Sequence, residues 1–123
     1  MKKTPEIKWL PEPADSDYDA AETFLKLLYK PKDCRRWSKR LRRAKISEYA
    51  AKDILRASAT PMSEVNAFDW SKQKKEIDQG NPLSPILIVR QDNGQHLLIA
   101  DGFHRMCALF AADQEVNVPC KIV

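Results

Sequence analysis

The chain has 123 residues, 43% apolar and 31% charged, the balance of one globular domain large enough to bury a core. No apolar run approaches the roughly 20 residues that span a bilayer, and the start, MKKTPEIKWLPEP, lacks the hydrophobic stretch of a signal peptide, so no membrane partner and a cytoplasmic location are expected. Three widely spaced cysteines, Cys34, Cys107 and Cys120, fit neither a disulfide framework nor a zinc site and read as buried small hydrophobes.

Residues 1–16 carry Pro5, Pro11 and Pro13 without a clear period and read as an extended arm docked by Trp9 and Leu10. Residues 17–80 read as mainly helical. Tyr18, Ala21, Phe24, Leu25 and Leu28 recur at helical spacing, with Asp17 or Asp19 as cap and Pro31 as stop. A second helix, capped by Asp33, has Cys34, Trp37, Leu41 and Ala44 on one stripe. Its pattern continues through Ile46, Tyr49, Ala50, Ile54 and Ala57 to Thr60-Pro61, as one long helix or two joined near Ile46. From Met62 a loop leads into a short helix around Asp69 to Gln79, stopped by Gly80.

Charge is unevenly placed along this half. The net charge is +4, but residues 1–60 hold 15 Lys or Arg against 9 Asp or Glu, and residues 61–123 hold 6 against 8. Between Lys30 and Lys45 there are 9 basic residues opposed only by Asp33. Arg35, Arg36, Lys39, Arg42 and Arg43 are therefore the candidate contacts for nucleic-acid phosphates, DNA among them, with a solvated helix face as the plainer alternative and Trp37 on its buried side.

Residues 82–123 read as a β-hairpin, a helix and a closing strand. Ile86 to Val89 and His96 to Ala100 are nearly continuous apolar runs, as expected for a sheet covered on both faces, and Asp92-Asn93-Gly94 has the chemistry of a tight reversal. A helix from about Gly102 to Ala112 and a strand from Val116 to Val123 follow. The expected fold is α+β, a small mixed sheet with packed helices. His96 reads as an exposed strand residue, and with only two histidines a transition-metal site held by the protein alone is not expected.

The junction LLIADGFHRMC carries the chemistry. A strand that runs into a helix N-terminus offers unpaired backbone N–H groups and the positive end of the helix dipole, and Gly102 has no Cβ to hold a ligand away. Arg105 adds a planar donor fork suited to phosphate, and His104 a donor that changes protonation near neutrality. Gly102, Phe103, His104 and Arg105 are thus the candidate phosphate- or nucleotide-binding residues. The plain alternative makes Asp101 a helix cap, Gly102 a turn residue and Arg105 a solvated side chain.

DGFHR between an apolar strand and a short apolar helix, closed by VPCKIV, resembles the ParB/sulfiredoxin superfamily over Pro82 to Val123. Sulfiredoxins carry a reactive cysteine where this chain has Phe103, so sulfinic acid reduction is not expected, nor is a ParB-type helix-turn-helix domain downstream. The nearest form is the Asp-Gly-His-His-Arg motif of ADP-dependent free serine kinases and small ParB-like proteins. Asp101, Gly102, His104 and Arg105 match it, and Phe103 replaces its first histidine, so kinase chemistry is not carried over. The resemblance implies a nucleotide or other phosphate-bearing ligand. Asp101 would hold magnesium escorted by a nucleotide through water, because that ion takes one or two carboxylates plus phosphate oxygens. Asp101 and His104 are the candidate catalytic groups, steering that ion or moving a proton. The competing reading is a non-enzymatic nucleic-acid-binding accessory that uses the Lys30 to Lys45 segment, with the DGFHR turn adding one phosphate contact.

Overall fold

The computed structural model describes residues 6–91 and 96–123. Among them, helices α1 (Asp15–Leu25), α2 (Pro31–Arg43), α3 (Ala51–Ala57), α4 (Met62–Ala67), α5 (Ser71–Asp78) and α6 (Phe103–Ala112) surround strands β1 (Ser47–Ala50), β2 (Ile86–Arg90), β3 (Leu97–Asp101) and β4 (Asn117–Ile122). The chain is an α+β protein built on one mixed sheet in the order β1-β4-β2-β3. β2 runs parallel to β4, while β1 pairs antiparallel with β4 and β3 antiparallel with β2.

The unbroken apolar run of β2 has a direct cause. Ile86 and Ile88 enter a core with Met106, Leu109, Val65 and Ile77, beneath α3 to α6. Leu87 and Val89 enter a second core with Tyr18, Leu25, Trp37 and Leu41, beneath α1 and α2. Successive side chains of a strand point to opposite faces, so a strand buried on both sides must be apolar at every position. Burying such a side chain contributes about 1.5–3 kcal/mol.

Several elements differ from the sequence expectation. The second helix ends at Arg43, and Ser47–Ala50 is a strand. Three of its four residues are exposed, so backbone pairing with β4, rather than an apolar period, defines it. Met62–Ala67 is helical around the buried Val65, where a loop was expected. Helix α1 stops at Leu25, and Pro31, expected to end it, is instead the first residue of α2. Asp17 and Asp33 are not N-caps, since Ala14 and Lys30 hold those positions. Asp17 sits in the first turn and accepts the Ala14 N–H at 2.9 Å, while Asp33 pairs with Arg36 at 3.4 Å. Carboxylates there favour the positive helix end as a cap would.

The described part of the arm, residues 6–14, docks through Trp9 as expected, and Asp15 and Ser16 already belong to α1. Trp9 bridges Leu83 and packs on the α3 to α6 core, with backbone hydrogen bonds from Leu10 to Leu83 and from Leu83 to Lys8. β2 and β3 pair antiparallel as the hairpin reading requires, and the Asp92-Asn93-Gly94 turn lies outside the described residues. Lys121 of β4, which nothing in the sequence singles out, is buried at 2% exposure. Its ammonium donates to the Arg42 carbonyl at 3.2 Å, pairs with Glu12 at 3.2 Å and lies 5.4 Å from the Tyr18 ring centroid. It thereby ties the arm, α1 and α2 to the sheet.

Candidate functional site

Helix α6 starts where the sequence places it. Gly102 is its N-cap, in the left-handed region at φ +99°, and among the described residues no side chain caps the helix. The Met106 N–H closes the first turn on the Gly102 carbonyl at 2.9 Å. The preceding amides, those of Phe103, His104 and Arg105, have no partner within the helix and form its positive end. Asp101, read alternatively as the cap, is the last residue of β3.

Gly102 is required on two grounds. Its φ disfavours any L side chain. A Cβ there would also lie 2.6 Å from Ile86 Cδ1 and 2.7 Å from Arg105 Nη2. Arg105 lies over the glycine because its guanidinium turns back to the sheet, donating to Asp101 Oδ2 at 2.9 Å and approaching Asp17 Oδ1 at 3.8 Å. The three side chains are only 14–16% exposed. The fork expected to face a phosphate is thus directed at two carboxylates, and its Nε is buried with no hydrogen-bond partner among the described residues. Burial pushes the Asp101 carboxyl up to about 6; the Arg105 charge opposes the rise and the Asp17 carboxylate reinforces it.

Beside this cluster lies a cavity of about 570 Å³. Asp101, Gly102, Phe103 and His104 border it at one end, and the rest of β3 runs along it. Phe24 of α1 forms one wall; Ser58, Thr60 and Glu64, around the α3 to α4 connection, form the other. Arg105 is not among its described lining residues. Of the expected site residues, the cavity therefore brings together Asp101, Gly102, Phe103 and His104 and leaves Arg105 behind them as a brace. His104 is exposed, and Phe68 stands edge-on to both Phe103 and His104, at centroid distances of 5.4 and 5.6 Å.

Asp17, Phe24, Ser58, Thr60 and Glu64 escape sequence reasoning because only tertiary packing brings them to the motif. The connection that presents Ser58 and Thr60 ends α3 with Ala59 at φ +55°. The Thr60 N–H bonds to the Leu55 carbonyl and the Ala59 N–H to that of Arg56, while the Ser58 and Thr60 hydroxyls share a 2.8 Å hydrogen bond. These backbone bonds form the paired closure that usually places glycine at the left-handed position.

The five candidate basic residues of α2 divide into two sets. Arg42 lies 4.5 Å from the Tyr18 ring centroid and pairs with Asp15 and Asp19 at 3.3 and 3.7 Å, and Arg36 pairs with Asp33. Arg35, Lys39 and Arg43 are exposed and, among the described residues, have no carboxylate within 4.0 Å. Helices α2 and α6 pack on opposite faces of the sheet, with Trp37 buried as expected.

All three cysteines are buried and free, and burial lifts the Cys107 and Cys120 thiols to about 11, away from nucleophilic use. Among the described residues, no three His, Cys, Asp or Glu side chains gather as a metal cluster, and no helix is long and apolar enough to cross a membrane. In comparison with known proteins, the chain matches no family model, no curated protein and no solved structure.

Proposed function

We propose that this chain is a ParB/sulfiredoxin-like domain that binds a nucleotide or another phosphate-bearing small molecule at the Asp101 to Arg105 turn. The observation that carries this reading is the uncapped N-terminus of α6 bordering a cavity of about 570 Å³, a volume typical of small-molecule sites. In this reading the Phe103 to Arg105 amides and His104 meet the phosphate, Phe24 and Phe103 offer apolar surface to the rest of the ligand, and Arg105 holds the turn in shape. Asp101 and Glu64, both on the cavity wall, are hard oxygen donors of the kind magnesium accepts beside phosphate oxygens. They would hold an ion that accompanies the nucleotide. A carboxyl near 6 is also suited to moving protons near neutrality. Phe103 leaves the motif without a thiol, so sulfinic acid reduction forms no part of the proposal.

A thermal-shift panel of nucleotides and inorganic phosphate, with and without magnesium, tests the reading. A ligand at 100 times its dissociation constant adds about 2.7 kcal/mol of stability. Selective stabilisation by one nucleotide supports the proposal, and no shift with any of them removes it.

Arg35, Lys39 and Arg43 on α2, exposed and without a carboxylate partner among the described residues, support the second reading, a nucleic-acid-binding accessory. Neutralising all three should weaken duplex DNA binding regardless of sequence and flatten its salt dependence by about 0.9 per lost phosphate contact. An unchanged salt slope, or no binding by the parent at low salt, excludes this reading.

A further inference from the structure

The free edge of β3 has a geometry that the motif alone does not explain. Among the described strands β3 pairs only with β2, which leaves its outer row of N–H and C=O groups without a strand partner. Leu97 and Ile99 pack toward the α3 to α6 core, whereas Leu98 and Ala100 pack toward the α1 and α2 core. Yet all five residues from Leu97 to Asp101 border the same cavity. A cavity over one face of a strand meets alternate residues; one that meets five in succession runs along the strand's edge.

We propose that this edge is a docking site for an extended segment of a partner protein, apolar and bearing a lysine or arginine, which adds to the sheet as a fifth strand along Leu97–Asp101. Three features select that occupant. The edge is recessed between Phe24 on one side and Ser58, Thr60 and Glu64 on the other. A recess with a wall on each side favours a single extended strand rather than the edge of a second copy of this chain. Leu97 to Ala100 contain none of the lysines or prolines with which exposed edges are usually protected against pairing. Asp101 is already paired with Arg105, but Glu64 is an exposed carboxylate on the wall and none of the described lining residues is lysine or arginine, so Glu64 complements a cationic side chain. Main-chain hydrogen bonds would supply affinity, and the walls and Glu64 would supply selectivity.

The inference goes beyond the phosphate reading and does not rest on it; the two ligands would share one cavity and compete for it, and a phosphate-free probe tests the strand alone. The experiment titrates the whole chain against fluorescein-labelled Thr-Val-Thr-Val-Lys, the same peptide ending in Glu, and a version N-methylated at alternate residues. Fluorescence anisotropy reads binding, and amide hydrogen exchange reads its location. The lysine peptide should saturate and protect the outward amides of β3. It should bind about tenfold tighter than the glutamate peptide, and the N-methylated peptide should not bind. Glu64→Lys, at an exposed position, should reverse the lysine over glutamate preference without loss of fold. Equal binding of the N-methylated peptide, failure of the lysine peptide to saturate at millimolar concentration, or a Glu64→Lys protein with the parent's preference would overturn the proposal.

Discussion

Arg105 crosses Gly102 so closely that a Cβ on the glycine would stand 2.7 Å from the guanidinium Nη2. The motif is thus a packed unit in which the glycine makes room for the arginine and the arginine holds the strand end. Gly102→Ala combines a left-handed strain of about 1–2 kcal/mol with overpacking of about 1–3 kcal/mol. A loss of about 2–5 kcal/mol in urea denaturation is expected, and a loss below about 1 kcal/mol would show that the turn relaxes freely.

The Asp101 carboxyl makes stability depend on pH in an unusual direction. Its folded value of about 6 lies above the ordinary 3.8, so between those values the folded chain binds more protons than the unfolded chain. This group therefore adds stability as pH falls from neutral through 6 toward 4, on the order of 2–3 kcal/mol, and withdraws it as pH rises. Urea midpoints across that window should climb on acidification for the parent and stay flatter for Asp101→Asn. Identical pH profiles for the two proteins would contradict the assignment.

Ala59 and Gly80 end α3 and α5 through the same pair of backbone closures, at φ +55° and +72°. Only one of the two is glycine. Ala59→Gly should stabilise the chain by about 1 kcal/mol, and Gly80→Ala, which meets nothing within 4 Å, should destabilise it by a similar amount through backbone strain alone. Thermal denaturation of both variants checks this, and a shift of the same sign in the two would refute it.

The contrast between those helix ends shows what sequence can express. Gly80 marks its stop because glycine is the residue that suits the conformation; Ala59 hides an identical stop behind a good helix former. The two-faced core is legible in the apolar run of β2, and the strand-to-helix junction is legible in Asp101-Gly102. The β1 strand is not, because Ser47, Glu48 and Tyr49 are exposed and take their conformation from distant Val118 to Cys120. The role of Arg105 is equally hidden. Its fork suits a phosphate on chemical grounds, and only the packing of α1 against β3 supplies Asp17 as a competing partner.

The most direct test of the central claim is a titration of isotope-labelled protein with adenine and cytosine nucleotides in magnesium, followed by amide chemical shifts. The account predicts saturable changes centred on Phe103, His104 and Arg105 and extending to Thr60 and Glu64 across the cavity, with inorganic phosphate competing at the first three. Binding that leaves those amides unmoved, or none by any nucleotide at millimolar concentration, would contradict it.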